Sequence, residues 1–381
     1  MQTYDYIVIG AGMAGASVGY ELAPHGRVLV LERESQPGYH TTGRSAAQYA
    51  ASYGNAPVRK LTVASRSLFD NPPAGFADHP LLTARGAIFV ADKDPVAALE
   101  AVHADICALT PDVKMMPVAD VVARVPIMQE DALAAAMDDP TSLDIDVHGL
   151  HQGYLRGLKQ RGSTVVCDAE VEQIARQGDT WHVKTRAGDF SAPILINASG
   201  AWGDEVARLA GVDPVGLVPK RRTAITFDPP EGVNIDDWPL VVDAQESFYF
   251  KPDAGRLLAS PADETPSPPC DAQPEELDVA ILVDRLEQVT TLKPRRIAHK
   301  WAGLRTFAAD KSPVCGFDPQ QKGFFWLVGQ GGYGIQMAPA LARAAAALIA
   351  GGKLPDDLTA LGVRREGISP HRLGHPSQAT A

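Results

Sequence analysis

Cysteine is scarce in this chain, and the four that occur, Cys107, Cys167, Cys270 and Cys315, are far apart with no C-x-x-C pair. That spacing argues against a disulfide framework and for free thiols in a reducing, cytoplasmic compartment. No zinc site suggests itself: His148 and His151 lie three apart, but no third ligand with suitable spacing is nearby. Long apolar runs are missing as well. The nearest, the alanine-rich stretch 338–350, carries Arg343 and is shorter than the ~20 residues a bilayer needs, so a soluble protein is expected. The amino terminus has no basic segment followed by an apolar run, which speaks against a secretory precursor. Positive charge is in deficit, with 35 Lys and Arg against 46 Asp and Glu and a formal charge of −11. A nucleic-acid surface is therefore excluded unless a local patch supplies it, and the tight basic clusters before the tail region are only 220–222 and 293–296. Neither a solenoid repeat nor a long low-complexity tract is present. What remains is a chain of 381 residues with an ordinary apolar fraction, enough for a large core and two domains.

The stretch Y-I-V-I-G-A-G-M-A-G, residues 6–15, constrains the rest most strongly. Its four apolar residues predict a buried strand, and Gly10, Gly12 and Gly15 follow in the G-x-G-x-x-G spacing. Gly10 permits a tight turn, Gly12 lets a pyrophosphate approach the backbone, and Gly15 lets the next helix pack close to the strand. Helix N-terminal N–H groups, near Met13 and Ala14, then face the phosphates. Ala14, Val18 and Leu22 recur at helical spacing, Gly26 is expected to end that helix, and residues 28–31 form a second buried strand tipped by Glu32. A carboxylate roughly 20 residues past the glycines accepts from ribose hydroxyls and repels a 2′-phosphate.

Further along, the loop after Glu32 is rich in small and hydroxyl residues, and Gly43, Arg44, Ser45 and Ala46 are expected to start a helix with its N-terminus free for phosphate. Residues 86–90 return to a strand pattern, 94–125 read as helical, and Asp146 caps a helix running to about Gln160. Residues 165–167, 170–174 and 181–185 alternate like strands of a small sheet. The run A-P-I-L-I-N-A-S-G-A-W, 192–202, repeats the logic of strand, small-residue turn and helix. Residues 223–227, 240–243, 247–251 and 256–260 read as successive, mainly antiparallel strands, and 261–274, proline-rich and acidic, as an exposed loop. Residues 277–292 form an amphipathic helix. A last buried strand, 323–328, feeds a third glycine turn, G-Q-G-G-Y-G, whose helix places positive dipole where a reduced cofactor carries negative charge. Arg222, inside K-R-R, reads on its own as a solvated charge; Arg305, after the apolar W-A-G-L, reads as buried beside an anion.

With these stretches in hand, the sequence resembles the flavin-dependent D-amino-acid oxidase superfamily, and within it the bacterial D-arginine dehydrogenases. The similarity runs over nearly the whole chain and is carried by I-G-A-G-M-A-G with Glu32, P-G-Y-H-T-T-G-R-S-A-A, L-H-Q-G-Y-L-R-G, I-N-A-S-G-A-W, P-K-R-R, E-S-F-Y-F-K-P-D-A-G, W-A-G-L-R and F-F-W-L-V-G-Q-G-G-Y-G-I-Q. It implies an α/β fold: a Rossmann-like FAD-binding domain from 1–78, 146–215 and 306–375, a mainly antiparallel substrate domain from 79–145 and 216–305, and a tail at 376–381. It implies noncovalent FAD bound by Gly10, Gly12, Met13, Ala14, Gly15, Glu32, Arg33, Gly43, Arg44, Ser45, Ala46, Ala47, Gln48, the backbone at Val171, Ala198, Gly200, Gly303, Arg305, Gly331, Gly332, Tyr333, Gly334, Ile335 and Gln336. Arg222 and Arg305 are expected to hold a substrate carboxylate and Tyr53 and Tyr249 to close the pocket. Gln336 and the Gly332 carbonyl are expected near the reacting carbon and amine, with Gln48 and Ala87 flanking the substrate.

Two departures cut against arginine as substrate. Gly86 and Ala87 stand where those dehydrogenases carry an acid, and Gln48 stands in place of a histidine. A cationic side chain would be buried without a counterion, at several kcal/mol, so a neutral or apolar D-amino acid is expected. The implied reaction transfers the α hydrogen as hydride to flavin N5, and the imino acid hydrolyses to a 2-oxo acid and ammonia. The electron acceptor, whether quinone, respiratory carrier or oxygen, stays open, as does any role of Tyr53 or His40 in taking the amine proton. Rival readings are oxidation of a secondary amine or 2-hydroxy acid, covalent flavin through Cys315, and a flavin-binding sensor without catalysis.

Overall fold

The computed structural model describes residues 1–91 and 96–374. The tail at 376–381 and the start of the helix-patterned segment at 94–95 lie outside these residues.

Tyr6–Ile9, half-buried at Tyr6 and buried at the other three, form the strand that the apolar run demands, and they sit at the centre of a six-stranded sheet. Its order is Thr164–Val166, Val28–Leu31, Tyr6–Ile9, Ile194–Asn197, Phe324–Val328 and Val314–Phe317. All neighbours run parallel except the last pair, as expected of strands that are buried on both faces and joined by long crossovers. Helices Met13–Leu22, Ala56–Asp70 and Gly334–Ile349 pack together on one side, where Val18, Leu61, Met337 and Leu341 share a buried cluster. Helix Val147–Gln160 packs against the first helix, and Asp146 caps it by accepting from the Gly149 N–H at 2.7 Å.

A second, ten-stranded sheet carries Val218–Phe227 and Ile297–Phe307 side by side near one edge, then Arg256–Ser260, Tyr249–Asp253, Leu240–Asp243, Ala87–Ala91, Ala135–Asp139 and Lys114–Met116. It is antiparallel apart from the join between Leu240–Asp243 and Ala87–Ala91. Gln330–Gly331 adds a short edge strand to it, so the third glycine turn is tied to this sheet while its preceding strand belongs to the other. A four-stranded sheet, Gln2–Thr3, Gly188–Ala192, Thr180–Thr185 and Val171–Gln177, and a three-stranded one, Gln48–Tyr49, Leu143–Ile145 and Leu82–Ala84, complete the strands.

The structure corrects several expectations. The first helix stops at Leu22, capped by Ala23 just before Pro24, rather than at Gly26, since proline has no N–H with which to continue the helical hydrogen bonds. No helix starts at Gly43. A single 3-10 turn, Thr41–Arg44, ends there because Ser45 is extended, Ala47 adopts φ 58° and Gln48–Tyr49 enters a sheet. The 94–125 segment is not continuously helical: Val96–Ile106 is followed by strand Lys114–Met116 and helix Val118–Arg124, with Pro111 between. Strand Thr164–Val166 belongs to the large parallel sheet, not to the small sheet with its neighbours. The 261–274 run is not simply exposed. Ala262 and Ala272 are buried, and Thr265–Pro266 pairs with the Val218–Phe227 strand.

Gly15 is the fold's tightest backbone approach, since a Cβ there would stand 1.8 Å from the Gly10 carbonyl oxygen. Both atoms are fixed by secondary structure, so no side-chain rearrangement relieves the clash. Gly15→Ala should therefore destabilise the protein by about 1–3 kcal/mol or more and release its flavin. Thermal melting and the visible absorbance of the purified variant test this; a yellow protein with unchanged melting would refute it.

Candidate active site

The glycine turn after the first strand is held from three directions. Gly10 adopts φ 99°, and a Cβ on it would meet the Ala198 carbonyl oxygen at 2.6 Å. Glu32 accepts from the Ala11 N–H at 2.9 Å and the Glu34 N–H at 3.0 Å, and Thr42 Oγ1 accepts from the Met13 N–H at 2.9 Å. His151 Nε2 reaches the Ala11 carbonyl at 2.9 Å and must donate to it, so this histidine is a brace for the loop. Burial lowers its pKa, consistent with a neutral ring. The second small-residue turn is built on fully buried Asn197, which donates to the Gly203 carbonyl at 2.8 Å and accepts from Ser199 Oγ at 2.7 Å. At the third, Gly331 adopts φ 56° with the Phe307 ring packed where a Cβ would be, and Gly332 leaves room for the Arg305 guanidinium.

One elongated cavity joins these turns. Gly10, Gly12, Met13, Ala14, Glu32, Arg33, Arg44, Ser45, Ala46, Val171, Ala198, Gly200, Gly303, Gly331, Gly332, Gly334 and Ile335 all line it, together with Arg222, Tyr249 and Arg305. Gly15, Gly43, Ala47 and Tyr333 do not line it and act behind the wall: Gly15 packs on Gly10, and Tyr333 packs on Tyr53 and Phe307. Gln336 is also placed behind it. Its amide accepts from the Ala50 N–H at 3.1 Å and donates to Thr62 Oγ1 at 3.1 Å, which ties the last helix to the second rather than aiming at a substrate.

Sheet register decides which basic residues face the cavity. Arg222 pairs with Gly303 and Lys220 with Arg305 across neighbouring strands, so Lys220, Arg222 and Arg305 share one face and Arg221 takes the other. Arg221 ion-pairs there with Glu275 and, at 2.9 Å, with Asp278. Following the register outward, Tyr249 and Ala87 lie on the Arg222 face as well. Arg222 is 7% exposed; its nearest carboxylate is Glu264 at 3.4 Å, and its Nε has no partner. Glu264 is shared with Lys220 at 2.7 Å and Lys311 at 3.7 Å. Burial opposes its ionisation, but these cations prevail and hold its pKa below the usual value. Positive charge is thus in surplus on this wall. Burial and the neighbouring Arg305 both push the Arg222 pKa down. Arg305 is also penalised by burial, yet the Tyr53 and Tyr249 hydroxyls and Glu246 more than offset it, so its net shift is upward. Guanidinium stays charged regardless, so the wall carries two cations and one donor without a partner.

Arg305 Nη1 donates to Tyr53 Oη at 3.3 Å, and Tyr53 donates onward to Glu246 at 3.3 Å. Tyr53 stands behind the cavity wall with its ring 4.9 Å from Tyr333. Gln48 donates to Ser142 Oγ at 2.8 Å, and Ala87 is fully buried in a small apolar cluster with Leu240, Tyr249 and Leu258. Glu264 escaped sequence reasoning because its loop reads as solvent-exposed, and Glu246 because it sits in a turn. Thr42 and Trp202 carried a weak signal, lying in stretches already marked as close to a ligand.

The glycine cradles, the acid at the tip of the second strand and the helix N-termini fit a dinucleotide. A Rossmann-type cleft opening onto a sheet with buried cations defines a flavin-dependent oxidoreductase. The match to the DAO family, FAD dependent oxidoreductase, over residues 5–348 makes the identity specific: the chain belongs to that family, and its cofactor is FAD. It is 22% identical to glycine oxidase of Geobacillus kaustophilus (strain HTA426) over 345 residues, covering 88% of this chain and 90% of that one. Its fold is similar to that of L-proline dehydrogenase from P. horikoshii, with TM-score 0.84, 21% identity and coverage of 97% and 98%. It is similar also to L-alpha-glycerophosphate oxidase from Mycoplasma pneumoniae with FAD bound, with TM-score 0.82, 19% identity and coverage of 92% and 95%. Among the described residues no helix is long and apolar enough to cross a membrane.

Replacing Arg222 by methionine removes a buried cation that repels Arg305 and leaves Glu264 paired with Lys220. Arg222→Met should melt no lower than the parent, yet bind a carboxylate substrate at least about 30-fold more weakly, because a charge-assisted hydrogen bond of about 2 kcal/mol is lost. A lower melting temperature with unchanged substrate affinity would reverse both assignments.

Proposed function

We propose that the protein oxidises the carbon bearing the amine of a free D-amino acid with a neutral or apolar side chain, giving an imino acid that water converts to a 2-oxo acid and ammonia. The observation carrying this reading is the pair Arg222 and Arg305 on one buried face, with Arg222 Nε unpartnered. Bound FAD supplies the two-electron acceptor. The two guanidiniums fix the carboxylate, and such positioning contributes several kcal/mol to the barrier reduction. Tyr249 shares their face, while Tyr53 and Tyr333 pack on each other behind the cavity wall.

The apolar packing around Ala87 supports a neutral side chain. Asp139 pairs with Ala87 across the sheet and is fully buried, but its carboxylate already accepts from Ser52 Oγ at 2.6 Å and Thr141 Oγ1 at 2.6 Å. Asp144 is held by Lys251 at 2.6 Å and Arg85 at 2.8 Å. Neither acid is free to meet a cation. The exposed carboxylate of Glu246, bonded to Tyr53, lies on a turn outside this buried region.

Anaerobic bleaching of the bound flavin by a panel of D-amino acids, L-amino acids, secondary amines and 2-hydroxy acids tests the reading. Neutral D-amino acids should reduce it fastest; D-arginine or D-lysine as the best substrate would refute the side-chain assignment, and preference for L-proline, sarcosine or a hydroxy acid would replace the substrate class. Whether oxygen then reoxidises the flavin, read as peroxide release, separates oxidase from dehydrogenase.

Burial raises the Tyr53 pKa above 10, against the pull of Arg305, so its phenol stays protonated at neutral pH and is a hydrogen-bonding group rather than the base for the substrate amine. Tyr53→Phe should therefore leave the pH at which flavin reduction turns on unchanged between pH 6 and 10 while slowing it modestly. A displaced pH midpoint would make Tyr53 a proton carrier.

A further inference from the structure

At the cavity end where Glu32 sits, the wall is made by side chains that no glycine motif announces. The Arg33 guanidinium lies 5.0 Å from the Trp202 ring, the His40 ring stands 4.7 Å from the same indole, and Tyr39 meets His40 edge-on at 5.0 Å. All four residues line the cavity. They come from three parts of the chain and are tied together by acids: Arg33 pairs with Glu34 at 3.4 Å and with Glu170 at 3.2 Å, and His40 Nε2 lies 2.9 Å from the same Glu34.

The carboxylate of Glu34 only accepts, so His40 Nε2 must be its donor. That fixes the ring and leaves Nδ1, which is buried and has no partner. In the neutral ring Nδ1 presents a lone pair, suited to a ribose hydroxyl or an adenine amine. In the protonated ring it presents an N–H, suited to a phosphate oxygen. Each of those groups belongs to the ADP half of FAD. An indole and a guanidinium stacked beside the ring supply the apolar, polarisable surface that a purine requires.

We propose that His40 and Trp202 form the wall that grips the ADP half of the cofactor, with His40 Nδ1 making a direct hydrogen bond to it. This assignment removes His40 from the substrate's proton chemistry and makes it a determinant of cofactor size. It concerns the cofactor alone, so it stands or falls independently of the substrate reading.

The test compares FAD and FMN binding to the full-length apoprotein by quenching of flavin fluorescence, in the parent and in His40→Ala, Trp202→Ala and Trp202→Phe. His40→Ala and Trp202→Ala should each weaken FAD at least tenfold while FMN affinity stays within twofold, and Trp202→Phe should restore most of the FAD affinity. FAD affinity within twofold of the parent in His40→Ala would overturn the proposal, as would equal weakening of FAD and FMN, which marks general damage to the fold. Should Trp202→Ala fail to fold, His40→Ala and Trp202→Phe decide the matter through the same two affinities.

Discussion

Two guanidinium groups of like charge, held on one face of a sheet with Glu264 beside Arg222 and Glu246 acting on Arg305, are the constraint around which this protein is arranged. Like charges in a poorly solvated wall repel, and the cost is tolerated only where other parts of the structure fix both groups. Here the antiparallel register between Val218–Phe227 and Ile297–Phe307 does so, since neighbouring long strands with about ten paired residues cannot slip without turning every side chain over. Gly332 keeps the space beside the Arg305 guanidinium clear of a Cβ, while Gly303 lies against the Arg44 side chain. Tyr53, Tyr249 and Glu246 partly compensate Arg305, and Lys220 and Lys311 draw Glu264 away from Arg222. The result is a wall whose cations are held in place by the fold itself.

The other half of the site rests on backbone proximity. Ala198 packs over Gly10, Gly15 packs under it, and the turn at Gly331–Gly332 meets the substrate sheet through Gln330–Gly331. A ligand bound across these turns touches both sheets at once. The short edge strand Gln330–Gly331 joins the third glycine turn to the strand of Arg305.

Much of this was legible in the residues. The strand, glycine, helix and acid pattern of 6–32 needs only local chemistry, because glycine spacing and helical periodicity act within a few residues, and the same holds for Asn197 and for the last strand and helix. Tyr249, Arg222 and Arg305 came from resemblance, and the cavity does bring these three together. Gln336, expected near the reacting atoms from the resemblance, is turned by helical phase toward Thr62 on a helix 274 residues away in sequence. The loop 261–274 misled in the opposite direction, since proline and acid content spoke for exposure while Ala262, Asp263 and Glu264 are used by the sheet edge.

The sequence by itself determined that a dinucleotide cleft exists, where its strand and helix begin, and that no counterion for a basic substrate stands at position 87, because each of these follows from residue type and short-range spacing. Only the tertiary structure decided that Lys220 and Arg222 turn inward while Arg221 turns out, that Asp139 and Asp144 are already engaged, and that Trp202 meets His40 across more than 160 intervening residues. Those outcomes depend on strand register and long-range packing, which couple residues far apart in the chain and leave no periodic trace in it.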